Sequence, residues 1–295
     1  MKCFAHRLAA KCLSKTDFDR SNSSREVGFS MIEMLVSLFV LVGVLGAVFS
    51  YVGRVQRVYK AQETSVDNTE QGRTFLDDIE RELHQAGYPT KRMYSSSALL
   101  PVSPTPTNND AKVAAGLVAI SQWNLVFEGD IDGDGAVESV RYTLLGNNGA
   151  IAAGGSSCPC TLQRTVKSKA AAAGAGGVID PATVISDADV TTIGTAAISN
   201  VVNSGDQNNG NALNLSGGNG SGVSFNLAYA AYKTAPIFNA FHADGSVVNF
   251  PPSATDLAAI RSITVSVNSI SAFDDTQNKT RIPLSMRTTI RLNNF

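Results

Sequence analysis

Gly28-Phe29-Ser30-Met31-Ile32-Glu33 opens an apolar run that continues to Val52, and its reading decides the rest of the chain. Apart from Glu33, nothing in residues 29–52 carries a charge. As a helix rising about 1.5 Å per residue, the run reaches roughly 36 Å, enough to cross a bilayer core. An ionised carboxylate inside such a span costs on the order of 2.5–3.5 kcal/mol even on insertion scales, so Glu33 calls for a partner. The residues ahead of the run read as a separate leader, 1–28. They carry Lys2, Arg7, Lys11, Lys15, Arg20 and Arg25 against Asp17, Asp19 and Glu26, with no apolar core of their own. A secretory signal places its apolar stretch before the cleavage point; here it follows the candidate cut behind Gly28, so a cut chain keeps its membrane segment. The basic leader favours a cytoplasmic N-terminus with the bulk of the chain outside, an argument weakened by Arg54, Arg57 and Lys60 beyond the span.

The segment from Gly28 through Glu33 and the apolar run resembles the class III signal of type IV pilins and type II secretion pseudopilins. The resemblance implies cleavage between Gly28 and Phe29 by prepilin peptidase, N-methylation of Phe29, and a role for Phe29 and Glu33 in assembly. The physics is consistent with it. Cutting exposes an ammonium at Phe29, mostly charged at neutral pH, one turn from Glu33 or beside the Glu33 of a neighbour. Pairing the two in a low dielectric satisfies both groups and favours one register between subunits.

Helical spacing continues past the span, which is assigned to 29–53, into an amphipathic stretch at 54–88. Phe75, Leu76, Ile79 and Leu83 form its apolar stripe. Gly87 suits a left-handed cap and Pro89 cannot extend the helix, so the helix is expected over 29–86. The run Leu83-His-Gln-Ala-Gly-Tyr88 resembles the helix end of PilW-like minor pilins and of J-type pseudopilins. The fold class expected is α+β: a pilin-like long N-terminal helix packed on an antiparallel β-sheet head at 89–295. That head is long enough for its own core. Strands are expected at 117–127, 137–145, 161–166, 222–232, 246–250, 260–273 and 281–292. Residues 170–222, poor in aromatics and rich in Ala, Gly, Ser and Asn, read as a low-complexity surface insertion. The last two strands alternate Ile263, Val265, Val267 and Ile282, Leu284, Met286 with polar residues, as in an antiparallel pair with one wet face.

Three features outside the N-terminus invite chemistry. Asp130-Ile-Asp132-Gly-Asp134-Gly-Ala136-Val-Glu138 matches the opening of a calcium loop, with acids at the first, third and fifth places and Gly at the sixth. Ala136 offers a carbonyl and Glu138 a further carboxylate. The match lapses at the twelfth place, which is Arg141, and Asp-Gly pairs also suit a tight hairpin; Ca2+ and a solvated acidic turn both stand as readings. Cys3 and Cys12 lie in the leader, which leaves Cys158 and Cys160 to form a local disulfide, or to stay free or pair between molecules. Zinc lacks an adjacent His pair, since His84 and His242 are scattered, and His84 at a helix end reads as a surface or capping residue.

Other classes fare poorly. Without the leader, 18 basic residues face 22 acidic ones, and no basic stripe with interleaved aromatics favours nucleic acid, although a few tip residues suffice for DNA in some filaments of this kind. There is no Gly-x-Ser-x-Gly elbow, no His-Glu-x-x-His and no phosphate loop, so no enzyme is expected. The resemblance implies a minor type IV pilin, working in a priming or tip complex needed for pilus assembly. Its partners would be prepilin peptidase, other minor and major pilins and the inner-membrane assembly platform. Its place would be the inner membrane with a periplasmic head, then the pilus at the cell surface. The alternatives are a J-type pseudopilin of type II secretion and a membrane-tethered adhesin or binding module.

Overall fold

The computed structural model describes residues 28, 30–94, 110–152, 158–172, 179–203, 232, 234–274 and 281–293. The expected strand at 222–232 lies outside them, Tyr232 excepted. The chain divides into two compact units, Met1–Gly53 and Arg54–Phe295.

A single helix, α1 (Met31–Gln85), has its first part in one unit and its remainder in the other. It begins two residues later than the spacing suggests, within the usual uncertainty of helix ends. The Glu33 and Met34 amides donate to the Ser30 carbonyl at 2.9 and 3.1 Å. In the first unit α1 is apolar on every side, and its large side chains are exposed, Met31 at 89% and Phe39 at 79%. It is long and apolar enough to cross a membrane, by length and composition.

In the second unit α1 becomes one-sided. Phe75, Ile79 and Leu83 are buried, at the three-to-four spacing that places them on one face. The helix ends as its sequence signals: Gly87 adopts φ +82°, and Pro89 follows. The end is pinned to the sheet. The Gly87 amide donates to the Glu128 carbonyl at 2.8 Å, and the Asp130 amide donates to the Tyr88 carbonyl at 2.8 Å. A Cβ on Gly129 would meet the Gln85 carbonyl oxygen at 2.7 Å, so only glycine permits this approach.

Among the described residues the sheet is antiparallel and eight-stranded: β1 (Leu117–Ile120), β2 (Asn124–Gly129), β3 (Glu138–Leu145), β4 (Cys160–Ser168), β5 (Thr195–Val201), β6 (Phe238–His242), β7 (Ile260–Asp274) and β8 (Arg281–Arg291). The order is β1-β2-β3-β4-β5-β7-β6, with β8 on the other side of β7. The fold class is therefore α+β. One sheet face packs Leu125, Phe127, Tyr142, Leu162, Ile198 and Val265 against the α1 stripe. A second, smaller core gathers Leu145, Ile179, Val184, Ile185 and Val190. Two short helices, α2 (Asp187–Thr192) and α3 (Ala254–Ala259), each start on a capping box, Ser186 with Asp189 and Ser253 with Asp256.

Four expectations need correction. The segment 117–127 is not one strand: the Ser121 hydroxyl oxygen accepts from the Trp123 and Asn124 amides at 3.3 and 3.0 Å and turns the chain into a hairpin. Residues 246–250 hold only an isolated bridge, Val247 to Phe241, while the pairing strand is β6. The stretch 170–222 is not wholly a surface insertion. Of its described residues, 170–172 and 179–203, the longer stretch supplies β5 between β4 and β7 and buries Ile179, Val184, Ile185, Val190, Ile198, Val201 and Val202. A few well-placed aliphatics outweigh an average composition of Ala, Gly and Ser. Last, the outer parts of β4, Cys160 and 167–168, extend the expected 161–166 at both ends.

Candidate functional site

The β2–β3 pairing ends at Gly129 opposite Glu138, and the eight residues between them carry the acidic run. Gly133 and Gly135 take φ +80° and +87°, a region costly for other residues, and let the chain fold back on its own carboxylates. Asp130 Oδ1 accepts from the Gly133 amide at 2.7 Å and Oδ2 from the Gly135 amide at 3.0 Å. Asp132 Oδ1 accepts from the Asp134 amide at 3.1 Å, and Asp134 Oδ1 from the Ala136 amide at 2.7 Å. Glu138 Oε2 accepts from the Ile131 amide at 3.2 Å.

Asp130, Asp132 and Glu138 converge. Each offers an oxygen, all within 4.8 Å of one another; Asp130 and Glu138 are buried and Asp132 is exposed. Asp134 is outside this trio, and Ala136 enters the loop through its amide. Burial raises the Glu138 pKa above its ordinary value, the Ile131 amide opposes the shift, and Asp132, Asp134 and Asp130 add to it. Calcium–oxygen distances of about 2.3–2.6 Å allow ligand oxygens to lie up to roughly 5 Å apart, so the trio fits a hard cation. No family model, curated protein or solved structure matches this chain.

The remaining sequence candidates are placed as follows. Gly28 and Glu33 flank the start of α1, and Phe29 lies outside the described residues, as do Cys3 and Cys12. Cys158 and Cys160 are joined by a disulfide with a Cα–Cα distance of 4.4 Å, buried in the main core. His84 Nε2 lies 3.8 Å from Glu80, and Asn293 contacts its Nδ1 at 3.0 Å.

Two buried polar clusters were not foreseen. Glu82 on α1 takes both Arg164 Nε (2.9 Å) and Nη2 (2.5 Å) on Oε1, and the Tyr142 hydroxyl donates to its Oε2 at 2.7 Å. Burial and the neighbouring Glu82 push the Tyr142 phenol well above its ordinary pKa, which keeps it a neutral donor. On the other side of β2, Lys169 Nζ donates to Glu128 Oε2 at 2.6 Å and to the Val113 carbonyl at 2.8 Å, both side chains being fully buried. Burial lifts the Glu128 pKa, with Lys169 and the Ala115 amide opposing. Both clusters tie remote segments to the sheet. Nothing in the local sequence marks them, because their partners are 82 and 41 residues apart.

Proposed function

We propose that the chain is a minor subunit of a type IV pilus, most like the PilW group, made as a precursor and built into a filament through its N-terminal helix. The observation that carries this reading is Glu33, the single charge in the apolar first part of α1, residues 31–53, set five residues after Gly28. Cleavage after Gly28 would put an ammonium on Phe29, and Glu33 of the same or an adjacent subunit would neutralise it. The pair favours one axial register, because any other leaves a charge unpaired at a cost of several kcal/mol in low dielectric. The α+β second unit, with its stripe of Phe75, Ile79 and Leu83 on an antiparallel sheet, supports the reading as the head such a helix would carry. The head would lie outside the inner membrane and later at the cell surface.

The Asp130, Asp132 and Glu138 trio would hold Ca2+, which supplies charge compensation where three carboxylates crowd. The residues themselves organise the loop: each carboxylate already fixes a backbone amide, so the oxygens are held in place before a cation arrives. The same loop favours a second reading, a membrane-tethered binding module whose contact surface is this acidic turn.

Glu33→Ala separates the two readings. As an assembly residue, its loss lowers incorporation into filaments at least about tenfold while the protein stays in the membrane fraction. A tethered module shows unchanged surface binding, and unchanged incorporation counts against the pilus.

A further inference from the structure

The second unit carries carboxylates along α1 and arginines along β8. Between residues 63 and 82, seven carboxylates stand against Arg73 and Arg81. Between 281 and 293 there are three arginines and no acid. Gly72 fixes the geometry: a Cβ there would meet Met286 of β8, and Ile198 of β5 lies at 3.8 Å, so α1 here touches the two strands that pair with β7 on its opposite edges.

On the β5 side lies an open groove of about 560 Å³. One wall is the helical stripe Asp67, Glu70, Thr74 and Asp78, and the other is β5 at Thr195, Ala196 and Ala197. Its floor includes Arg164, which is already committed to Glu82. Asp67 and Glu70 are exposed and have no partner among the described residues; Asp78 has only an exposed contact with Arg81 at 3.5 Å. On the β8 side, Ile290 is buried and Met286 packs at Gly72, so the even positions face α1. The odd positions Arg287, Thr289 and Arg291 point away and are exposed. Neither Arg287 nor Arg291 has an ion-pair partner among the described residues.

We propose that the groove receives the outer face of β8 from a second copy of this chain. The spacings agree. Arg287 and Arg291 are separated by about 13 Å along a strand, and Glu70 and Asp78 by about 12 Å along a helix. Two arginines at the strand spacing therefore reach two carboxylates at the helix spacing, with Thr289 opposite Thr74 in either direction. The two surfaces lie on different elements and differ from each other, so the contact between two copies is heterologous and not two-fold symmetric. Exposed pairs of this kind set register and partner choice more than raw affinity. The contact does not rest on Phe29 or Glu33, and its failure would leave the N-terminal reading untouched.

The test uses full-length chains in detergent carrying Cys3→Ser and Cys12→Ser. One population bears Thr74→Cys and the other Thr289→Cys, and the two are mixed under mild oxidation. A disulfide-linked dimer should form in the mixture at least about tenfold above either population alone, and its yield should fall several-fold as salt rises to about 0.5 M. Arg287→Glu with Arg291→Glu in the Thr289→Cys chain should lower the yield about tenfold. Glu70→Arg with Asp78→Arg in the Thr74→Cys chain should restore it. Absence of the mixed dimer, equal dimer in a single population, or indifference to both salt and charge reversal would overturn the proposal.

Discussion

The two parts of α1 use the same backbone for opposite purposes. From Met31 to Gly53 the apolar side chains point in every direction and are exposed; toward the end of α1 Phe75, Ile79 and Leu83 form one buried stripe, and the other faces carry carboxylates. A helix apolar all round is suited to lipid or to a bundle of its own kind, whereas a one-sided helix is suited to a sheet in water. The single carboxylate of the first part, Glu33, is therefore a different object from Glu82 in the second. Glu82 is buried with its charge already met by Arg164 and Tyr142, and Glu33 is exposed at the start of the helix.

Matched truncations break this comparison most sharply. Leu83→Ala should lower the stability of the second unit by about 2–5 kcal/mol, read as a drop in urea midpoint for the full chain in detergent. Leu41→Ala should leave that midpoint within about 0.5 kcal/mol, since Leu41 is exposed and outside the second unit. Equal losses would show that the two parts share one core.

A smaller effect separates the two carboxylates. Arg164→Met strands the buried Glu82 and should cost about 2–4 kcal/mol, less than a fully buried pair because Arg164 is 29% exposed. Adding Glu82→Gln should recover part of that loss. No recovery would mean that Arg164 acts through packing alone.

The acidic loop should give the smallest shifts. Calcium at ten times its dissociation constant should stabilise the chain by about 1.4 kcal/mol, seen as a rise in Tm, and Asp132→Ala should remove the rise. Without calcium, the sign of the pH dependence follows from Glu138. Its pKa is raised in the fold, so across the window from its ordinary value to the raised one the native state keeps a proton that the unfolded chain gives up. Stability therefore falls as pH climbs through that window. Glu138→Gln should flatten this slope relative to the parent, and an unchanged slope would place the effect on Glu128, whose pKa is also raised.

What could be read from the sequence was whatever is written in consecutive residues. The α1 stripe, its stop at Gly87 and Pro89, and the alternation in β7 and β8 depend on neighbours one to four places apart. The spacing of the acids was equally visible. Which of them converge was not, because the left-handed turns at Gly133 and Gly135 bring Glu138 to Asp130 and Asp132 while turning Asp134 to cap Ala136. Strand β5 was hidden because Thr195-Ala-Ala-Ile198-Ser-Asn-Val201 has only two large aliphatics in a stretch of small residues. The Glu82–Arg164 and Glu128–Lys169 pairs join segments that only the completed sheet brings together.

The central claim concerns the nitrogen that Glu33 is placed to meet. Mass spectrometry and N-terminal sequencing of the chain recovered from the membrane fraction of a host with active prepilin peptidase test it directly. The account predicts a single start at Phe29 carrying one added methyl group. A chain that still begins at Met1 would contradict it.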